Sequence, residues 1–534
     1  MNRSEMIATL RDRQTPWDVI IIGGGATGAG VAVDAASRGF STLLLEREDF
    51  AKGTSSRSTK LVHGGVRYLE QGNISLVMEA LKERGLLRQN APHLVHDVPF
   101  VVPNYTWWEA PFYGIGMKIY DMLAGKYGFG KSRILSREET LERLPNLQAD
   151  GLKGGVVYHD GQFDDSRLLI HLMQTAADHG ATVLNYFPVV SLTKDEEGFI
   201  AGVLATDSET GEQFNLPAKV VINATGIFTD EIRRMADPSA NTMIAPSQGI
   251  HLVLDGTFLR SSTAVMVPHT SDGRVLFAIP WHGHTVVGTT DTPIAGPSYE
   301  PLPYEEEIEF ILETAAEYLH HPPTRADVLS VYVGIRPLVK AGGAEGGKTS
   351  TLSRDHTVHI DQTGLLTIVG GKWTTYRYMA QDTMNHAITL GKLDDRPCVT
   401  QNLHIHGWAD DDPFKPLGVY GSDAEKITAL ATESPELAKQ LHPALPYIAA
   451  EVVWAAREEQ ARTVEDVLSR RTRALLLNAH AAIAMAPEVA RLMASELGKD
   501  AAWVAAEIAT FTDLAQQYTL ARIAPGNPPQ ITKD

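Results

Sequence analysis

The chain has 534 residues, 43% of them hydrophobic and 21% charged; these are the proportions of a globular protein too long for one core, so two or three domains are expected. Its formal net charge of -18 opposes a nucleic-acid partner and broad adhesion to anionic lipid, both of which need a basic face. A single cysteine, Cys398, excludes an intramolecular disulfide framework and fits a reducing compartment, while the polar stretch Met1 to Thr15 does not read as a signal peptide and no run of about 18 apolar residues could span a bilayer.

The apolar run Val19-Ile20-Ile21 leads into Gly23-x-Gly25-x-x-Gly28, an order that predicts a buried parallel strand over 18–22, a tight turn and a helix over 27–37. In such a unit Gly23 makes the turn, Gly25 lets a pyrophosphate approach the main chain, and Gly28 lets the helix pack on the strand. The helix presents its first amides and positive dipole end to the anion. A second strand over 41–45 ends in Glu46, about 20 residues on, where a ribose hydroxyl finds its acceptor. Residues 53–69 are too polar and Gly-rich for a core helix and read as a phosphate- and flavin-lining loop. Between 105 and 120 aromatic residues cluster around Trp107-Trp108 and Phe112-Tyr113, which suits either a lipid interface or a helix packed between domains.

Another buried strand, from Val220, breaks at Ala224-Thr225-Gly226, where a cofactor can lie against the backbone. Strands are predicted over 251–255, 275–281 and 284–291, the last two forming a hairpin that turns at His282-Gly283. A second Gly-rich turn follows at Gly370-Gly371-Lys372-Trp373-Thr374-Thr375. From Ser422 onward Ala, Glu, Leu and Arg recur at helical spacing, broken by prolines, and predict a helical C-terminal domain. Asp410-Asp411-Asp412 lacks the spacing of a calcium loop and the histidines do not pair as zinc ligands, so no metal is expected. Two Gly-rich turns at opposite ends of one domain predict a dinucleotide gripped at both ends, either a nicotinamide or, as the additional segments favour, a flavin.

The stretch from Ile22 through Gly30, Ala32 and Asp34 to Arg38-Gly39, and a second from Gly370-Gly371-Lys372 through Thr375-Tyr376-Arg377 to Ala380, resemble the two signatures of the FAD-dependent glycerol-3-phosphate dehydrogenases, within the flavoproteins related to D-amino-acid oxidase. The resemblance continues through 54–69, Gly334-Ile335-Arg336-Pro337-Leu338, Ser353-Arg354-Asp355-His356 and the segment from Asp466 to Arg473, and so covers nearly the whole chain. It implies an α/β fold with a Rossmann-like FAD-binding domain (15–95, 151–245 and 330–390), an antiparallel β-rich substrate cap (96–150 and 246–329) and an all-helical C-terminal domain (391–534). The cofactor contacts it implies are Gly23, Gly25, Ala26, Thr27, Gly28, Glu46 and Arg47; Thr54, Ser55, Ser58, Thr59, Lys60, Leu61, His63 and Gly65; Ala224, Thr225 and Gly226; and Gly371, Lys372, Trp373, Thr374 and Thr375.

The implied reaction is oxidation of sn-glycerol 3-phosphate to dihydroxyacetone phosphate by hydride transfer to FAD. Electrons pass to a membrane quinone, in an enzyme held peripherally at the inner face of the cytoplasmic membrane. An oxidase that uses oxygen and releases hydrogen peroxide stays open, as does, in another class, a flavoprotein acting as a binding or RNA-modification factor. Assembly, as a homodimer or otherwise, is left open.

A phosphorylated substrate needs fixed positive charge, and guanidinium forks bind phosphate oxygens bidentately. The resemblance places Arg336, Arg354 and Lys372 in the cationic lining of the substrate pocket, with Arg67 and Tyr68 on the flavin-side loop; a salt bridge to Asp355 is the alternative for Arg354. The substrate's hydroxyl proton needs an acceptor, and histidine titrates closest to neutral pH. His251 matches the family's pocket histidine, with Arg336 or a bound water as the alternative.

Overall fold

The computed structural model of the chain describes residues 1–66, 69, 72–268, 270, 274–340, 355–410 and 412–522, so Arg67, Tyr68 and Arg354 lie outside the described residues. The strand Trp17–Ile22 runs parallel between Thr42–Leu45 and Gln213–Asn223. Val19, Ile20 and Ile21 are fully buried, as expected of a parallel strand covered on both faces. The eight-stranded sheet continues from Gln213–Asn223 through Leu366–Gly370 to His356–Ile360 on one side and ends at Thr182–Leu184 on the other. Helix Ala26–Ser37 is buried almost all round, from Gly28 to Ala36, in a core shared with helices Asp165–Asp178 and Tyr376–Leu390.

A second sheet, of ten strands, carries the cap. Its spine is the pair Ile244–Asp255 and Val328–Val339, antiparallel in a register that sets Ser247 opposite Arg336 and His251 opposite Tyr332. The expected hairpin is present, with Trp281 opposite His284 across His282-Gly283; both turn residues have positive φ, 46° and 75°. The domain borders drawn from the sequence need correction where strands assigned to the FAD-binding domain pair in the second sheet, as Leu61–Val62 does with Gly154–Phe163. Gly154–Phe163 pairs along its whole length with Val95–Asn104, and Val328–Val339 pairs with Ile244–Asp255, so both belong to the cap sheet and not to the FAD-binding sheet. Hydrogen bonding to strands distant in sequence, which no local pattern encodes, decides membership.

The C-terminal domain is helical, with helices Ala424–Glu433, Ala449–Glu458, Ala479–Leu497 and Ala501–Gln516, and one short ribbon, Gln440–His442 with Leu445–Ile448. It does not stand apart. Val452, Leu475 and Val489 share one apolar core with Phe100, Tyr158 and Tyr332 of the cap. The aromatic segment near 107–120 forms helix Glu109–Ala124, which packs one stripe inward and leaves another outward: Tyr113, Met117 and Tyr120 are buried, while Trp107, just before the helix, Ile115 and Met122 are 83%, 65% and 73% exposed.

Candidate active site

A cleft opens at the carboxyl ends of the parallel strands, between the two Gly-rich turns. This is where open α/β sheets bind their ligands. Gly23 has φ +111°, and a Cβ there would lie 2.7 Å from Ala224 O. Gly28 is a packing residue, because a Cβ would overlap Gly23 O. At Gly25 a Cβ would meet only Ser55 Oγ, at 3.2 Å. A Cβ at Gly25 would thus press on Ser55 Oγ alone, which must give slightly, and a side chain there would occupy the cleft at the N-terminus of helix Ala26–Ser37.

Three segments far apart in sequence are tied together around this cradle. Ala26 N donates to Ser55 Oγ at 2.9 Å, and Trp373 Nε1 donates to Ser55 O at 2.9 Å. Thr374 Oγ1 accepts from His63 N at 3.2 Å. Ala224 N donates to Ile22 O at 2.9 Å, which brings Ala224, Thr225 and Gly226 against the first turn. Glu46 ends its strand in the cleft and accepts from Gly24 N at 2.5 Å and Glu48 N at 2.8 Å. Burial raises its pKa against these two amides.

Of the expected cofactor residues, Gly23, Gly25, Ala26, Thr27, Glu46, Arg47, Thr54, Ser55, Ala224 to Gly226 and Gly371 to Trp373 line the cleft. Others do not present their side chains to it. Lys60 is fully buried, with its ammonium on Asp165 at 2.8 Å and on Ser56 O at 2.6 Å, because a buried cation needs a partner inside the protein. Ser58 donates to the same carboxylate at 2.7 Å. Leu61 sits in the apolar core, Gly65 is buried in the chain behind it, and Thr375 Oγ1 bonds Lys372 O at 3.3 Å. The sequence reading missed a cluster at one end of the cleft: Arg47 lies over the rings of Phe228 and Tyr299 and donates to Glu231 at 2.9 Å. Phe228 and Glu231 follow the Ala224-Thr225-Gly226 turn, whose neighbourhood was a usable signal; Tyr299 lies 252 residues from Arg47 and carried none.

Two of the expected substrate residues, His251 and Arg336, lie on the paired strands that form the spine of the cap. His251 is 3% exposed, stacks on Tyr332 at 4.7 Å between centroids, and shares a 2.9 Å hydrogen bond between Nε2 and Thr59 Oγ1. Burial, and then the cations Lys60 and Arg336, hold its pKa well below the ordinary value, so the imidazole is neutral at neutral pH. Arg336 is paired within the protein, donating to Asp291 at 3.1 Å, Thr290 O at 2.9 Å and Gln248 O at 3.3 Å, while Ser247 donates to Asp291. Lys372 lines the cleft at the second Gly-rich turn. Among the described residues no group of three or more His, Cys, Asp or Glu side chains is placed to hold a metal.

Two Gly-rich turns facing one cleft, a helix N-terminus with a cradle that a Cβ would fill, and a carboxylate at the end of the second strand define a dinucleotide-dependent oxidoreductase. The family described as "FAD dependent oxidoreductase" matches residues 18–377, and "C-terminal domain of alpha-glycerophosphate oxidase" matches 362–504. The chain belongs to this family of FAD-dependent oxidoreductases, and FAD is the cofactor its cleft fits.

The mitochondrial glycerol-3-phosphate dehydrogenase of Homo sapiens is 41% identical over 93% of this chain and 73% of its own length. That of Arabidopsis thaliana is 43% identical over 90% of this chain and 83% of its own length. The structure of glycerol-3-phosphate dehydrogenase from Bacillus halodurans complexed with FAD superposes with a TM-score of 0.79 at 29% identity, covering 99% of each chain. Membership of an enzyme family sets aside the reading as a non-catalytic flavoprotein.

Proposed function

We propose that this chain oxidises sn-glycerol 3-phosphate to dihydroxyacetone phosphate and passes the electrons to a membrane quinone. The observation that carries the reading is 41–43% identity, across nine-tenths of the chain, to glycerol-3-phosphate dehydrogenases. FAD, when bound, supplies the hydride acceptor. The cradle at Gly25 and the amides of helix Ala26–Ser37 hold its pyrophosphate, and Glu46 accepts from its ribose. Arg336 and Lys372 hold the substrate phosphate, and Asp291 fixes the direction of the Arg336 fork. His251, kept neutral by burial and fixed by Tyr332 and Thr59, takes the proton of the C2 hydroxyl; a neutral imidazole is the form able to accept it.

The test is to add glycerol 3-phosphate anaerobically to the purified yellow protein. Bleaching of the visible flavin band is expected, and an unchanged spectrum would overturn the substrate assignment. The acceptor has a second reading, because the matching C-terminal domain takes its description from an oxidase. Quinone reduction without hydrogen peroxide is the expected result, and stoichiometric peroxide would establish the oxidase.

A quinone acceptor requires access to a membrane, and no helix among the described residues is long and apolar enough to cross one. Contact falls to the outward face of helix Glu109–Ala124. There Ile115, Ile119 and Met122 border an apolar groove with Ile134, and the exposed Trp107 and Trp108 have the amphipathic rings that sit at lipid interfaces. On this reading the enzyme is held peripherally, and the proposed location is the inner face of the cytoplasmic membrane.

A further inference from the structure

The C-terminal segment from Glu465 to Arg471 lies outside the cleft, and the function proposed above gives it no task. It is nevertheless tied to one wall of the cofactor site. That wall is the loop from Glu46 to Ser55, whose residues Glu46, Lys52, Thr54 and Ser55 line the cleft. The loop has no strand of its own, and its first helical turn begins only at Thr54.

Asp49, at the loop's underside, receives Arg471 through two bonds, at 2.7 and 2.9 Å, and Arg470 Nε at 2.5 Å. The side chains of Asp49 and Arg471 are fully buried, and that of Arg470 is 3% exposed. Three residues on, Lys52 reaches Glu465 at 2.8 Å. Arg470 closes the set by donating to Glu465 and Asp466, both at 2.7 Å. Three cations and three carboxylates thus form one group, with Asp49 and Lys52 on the loop and Glu465, Asp466, Arg470 and Arg471 on the C-terminal segment behind it.

An apolar contact of the same volume would attach two domains at least as strongly, since burying charges costs their hydration. What a converging ion group adds is direction: a guanidinium fork accepts a carboxylate in one plane and one register. We infer that Arg470, Arg471 and Glu465 are positioning residues for the FAD site, and that the C-terminal domain serves the active site by holding the Glu46–Ser55 loop in its cofactor-binding shape through Asp49 and Lys52. The inference rests on FAD binding alone and does not depend on which substrate or acceptor the enzyme uses.

The test measures FAD affinity of the full-length apoprotein by titration, together with apoprotein thermal midpoint and tryptic cleavage after Lys52. Glu465→Gln keeps shape and removes the charge that faces Lys52 and Arg470. Arg471→Lys keeps charge and removes the fork. Each forfeits a charge-assisted bond to the loop, and FAD dissociation constants at least about tenfold higher are expected, with faster cleavage after Lys52 that saturating FAD suppresses. KM for the substrate at saturating FAD should stay at the wild-type value, because neither residue reaches the cleft. Arg457→Ala, which breaks a pair with Glu496 inside the C-terminal domain, should leave FAD affinity unchanged. Should Arg471→Lys fail to fold, Glu465→Gln alone decides. FAD affinity within twofold of wild type in Glu465→Gln, with or without a lower thermal midpoint, would overturn the inference and leave the group as packing between domains.

Discussion

Replacing Arg336 by lysine tests the phosphate assignment most directly, because charge is kept while geometry is lost. The guanidinium spans acceptors on different sides: Nη1 donates to Asp291 and Gln248 O, and Nη2 to Thr290 O at 2.9 Å. An ammonium is a single point on a flexible stem, and a lysine drawn to Asp291 cannot also present a planar pair of donors to phosphate oxygens. Losing one charge-assisted bond costs about 1.5 to 3 kcal/mol, so kcat/KM for glycerol 3-phosphate should fall by roughly tenfold to a hundredfold. The assay is reduction of a soluble quinone analogue with glycerol 3-phosphate and, in parallel, with glycerol. Glycerol lacks the phosphate, and its slow rate should be the same in both proteins. Equal slowing of the two substrates would show that Arg336 acts at the reacting carbon, and no slowing of either would reduce it to a structural partner of Asp291; either result refutes the assignment.

Gly25→Val should yield apoprotein with a native far-UV spectrum, because the added side chain meets little of the protein, only Ser55 Oγ at 3.2 Å from its Cβ, and fills the cradle; normal flavin content would refute the cradle. Glu46→Ala should weaken FAD retention by about tenfold, read as flavin per mole of protein after dilution. Trp107→Ser with Trp108→Ser should release the enzyme from lipid vesicles in a flotation assay while high salt does not, since apolar burial is unscreened; unchanged flotation would remove this helix face as the anchor. His406, clamped by Asp178 at 2.6 Å and Asp423 at 2.8 Å, has its pKa raised to about 9 although burial opposes this. The clamp therefore adds stability that is complete below pH of about 6.5 and is lost as pH rises through about 9, at most about 3 kcal/mol. Thermal midpoints of wild type and His406→Gln should differ most at pH 6 and converge above pH 9.

The parallel strands were legible because burial on both faces leaves a continuous apolar run such as Val19-Ile20-Ile21, and the hairpin at His282-Gly283 because positive φ at a turn leaves a glycine. Sheet membership was not. Gly154–Phe163 and Val328–Val339 read as buried strands, yet nothing local distinguishes a partner in one sheet from a partner in the other, and the long pairings with Val95–Asn104 and Ile244–Asp255 put both in the cap. The helix near Trp107 shows a different ambiguity: aromatic residues at helical spacing mark an apolar surface without saying what covers it, and here one stripe, with Tyr113 and Tyr120, faces the core while the other faces outward.

Within the site, the residues whose chemistry depends on backbone shape were readable and those whose chemistry depends on distant partners were not. Gly23, Gly25 and Glu46 sit where the turn and strand require them. Lys60 has the right residue type in the right loop, and only Asp165, 105 positions away, turns it inward; Arg336 likewise acquires Asp291 from the connection that follows strand His284–Gly288. The same principle locates the C-terminal arginines. A sequence shows Arg470-Arg471 as two charges on a helical stretch, ordinarily a solvated face, and the fold makes them buried because Asp49, more than 400 residues earlier, supplies the carboxylate they need. A charge that sequence places on a surface and structure places in a core has a partner chosen by the whole fold, which is why such residues mark where one domain controls the shape of another.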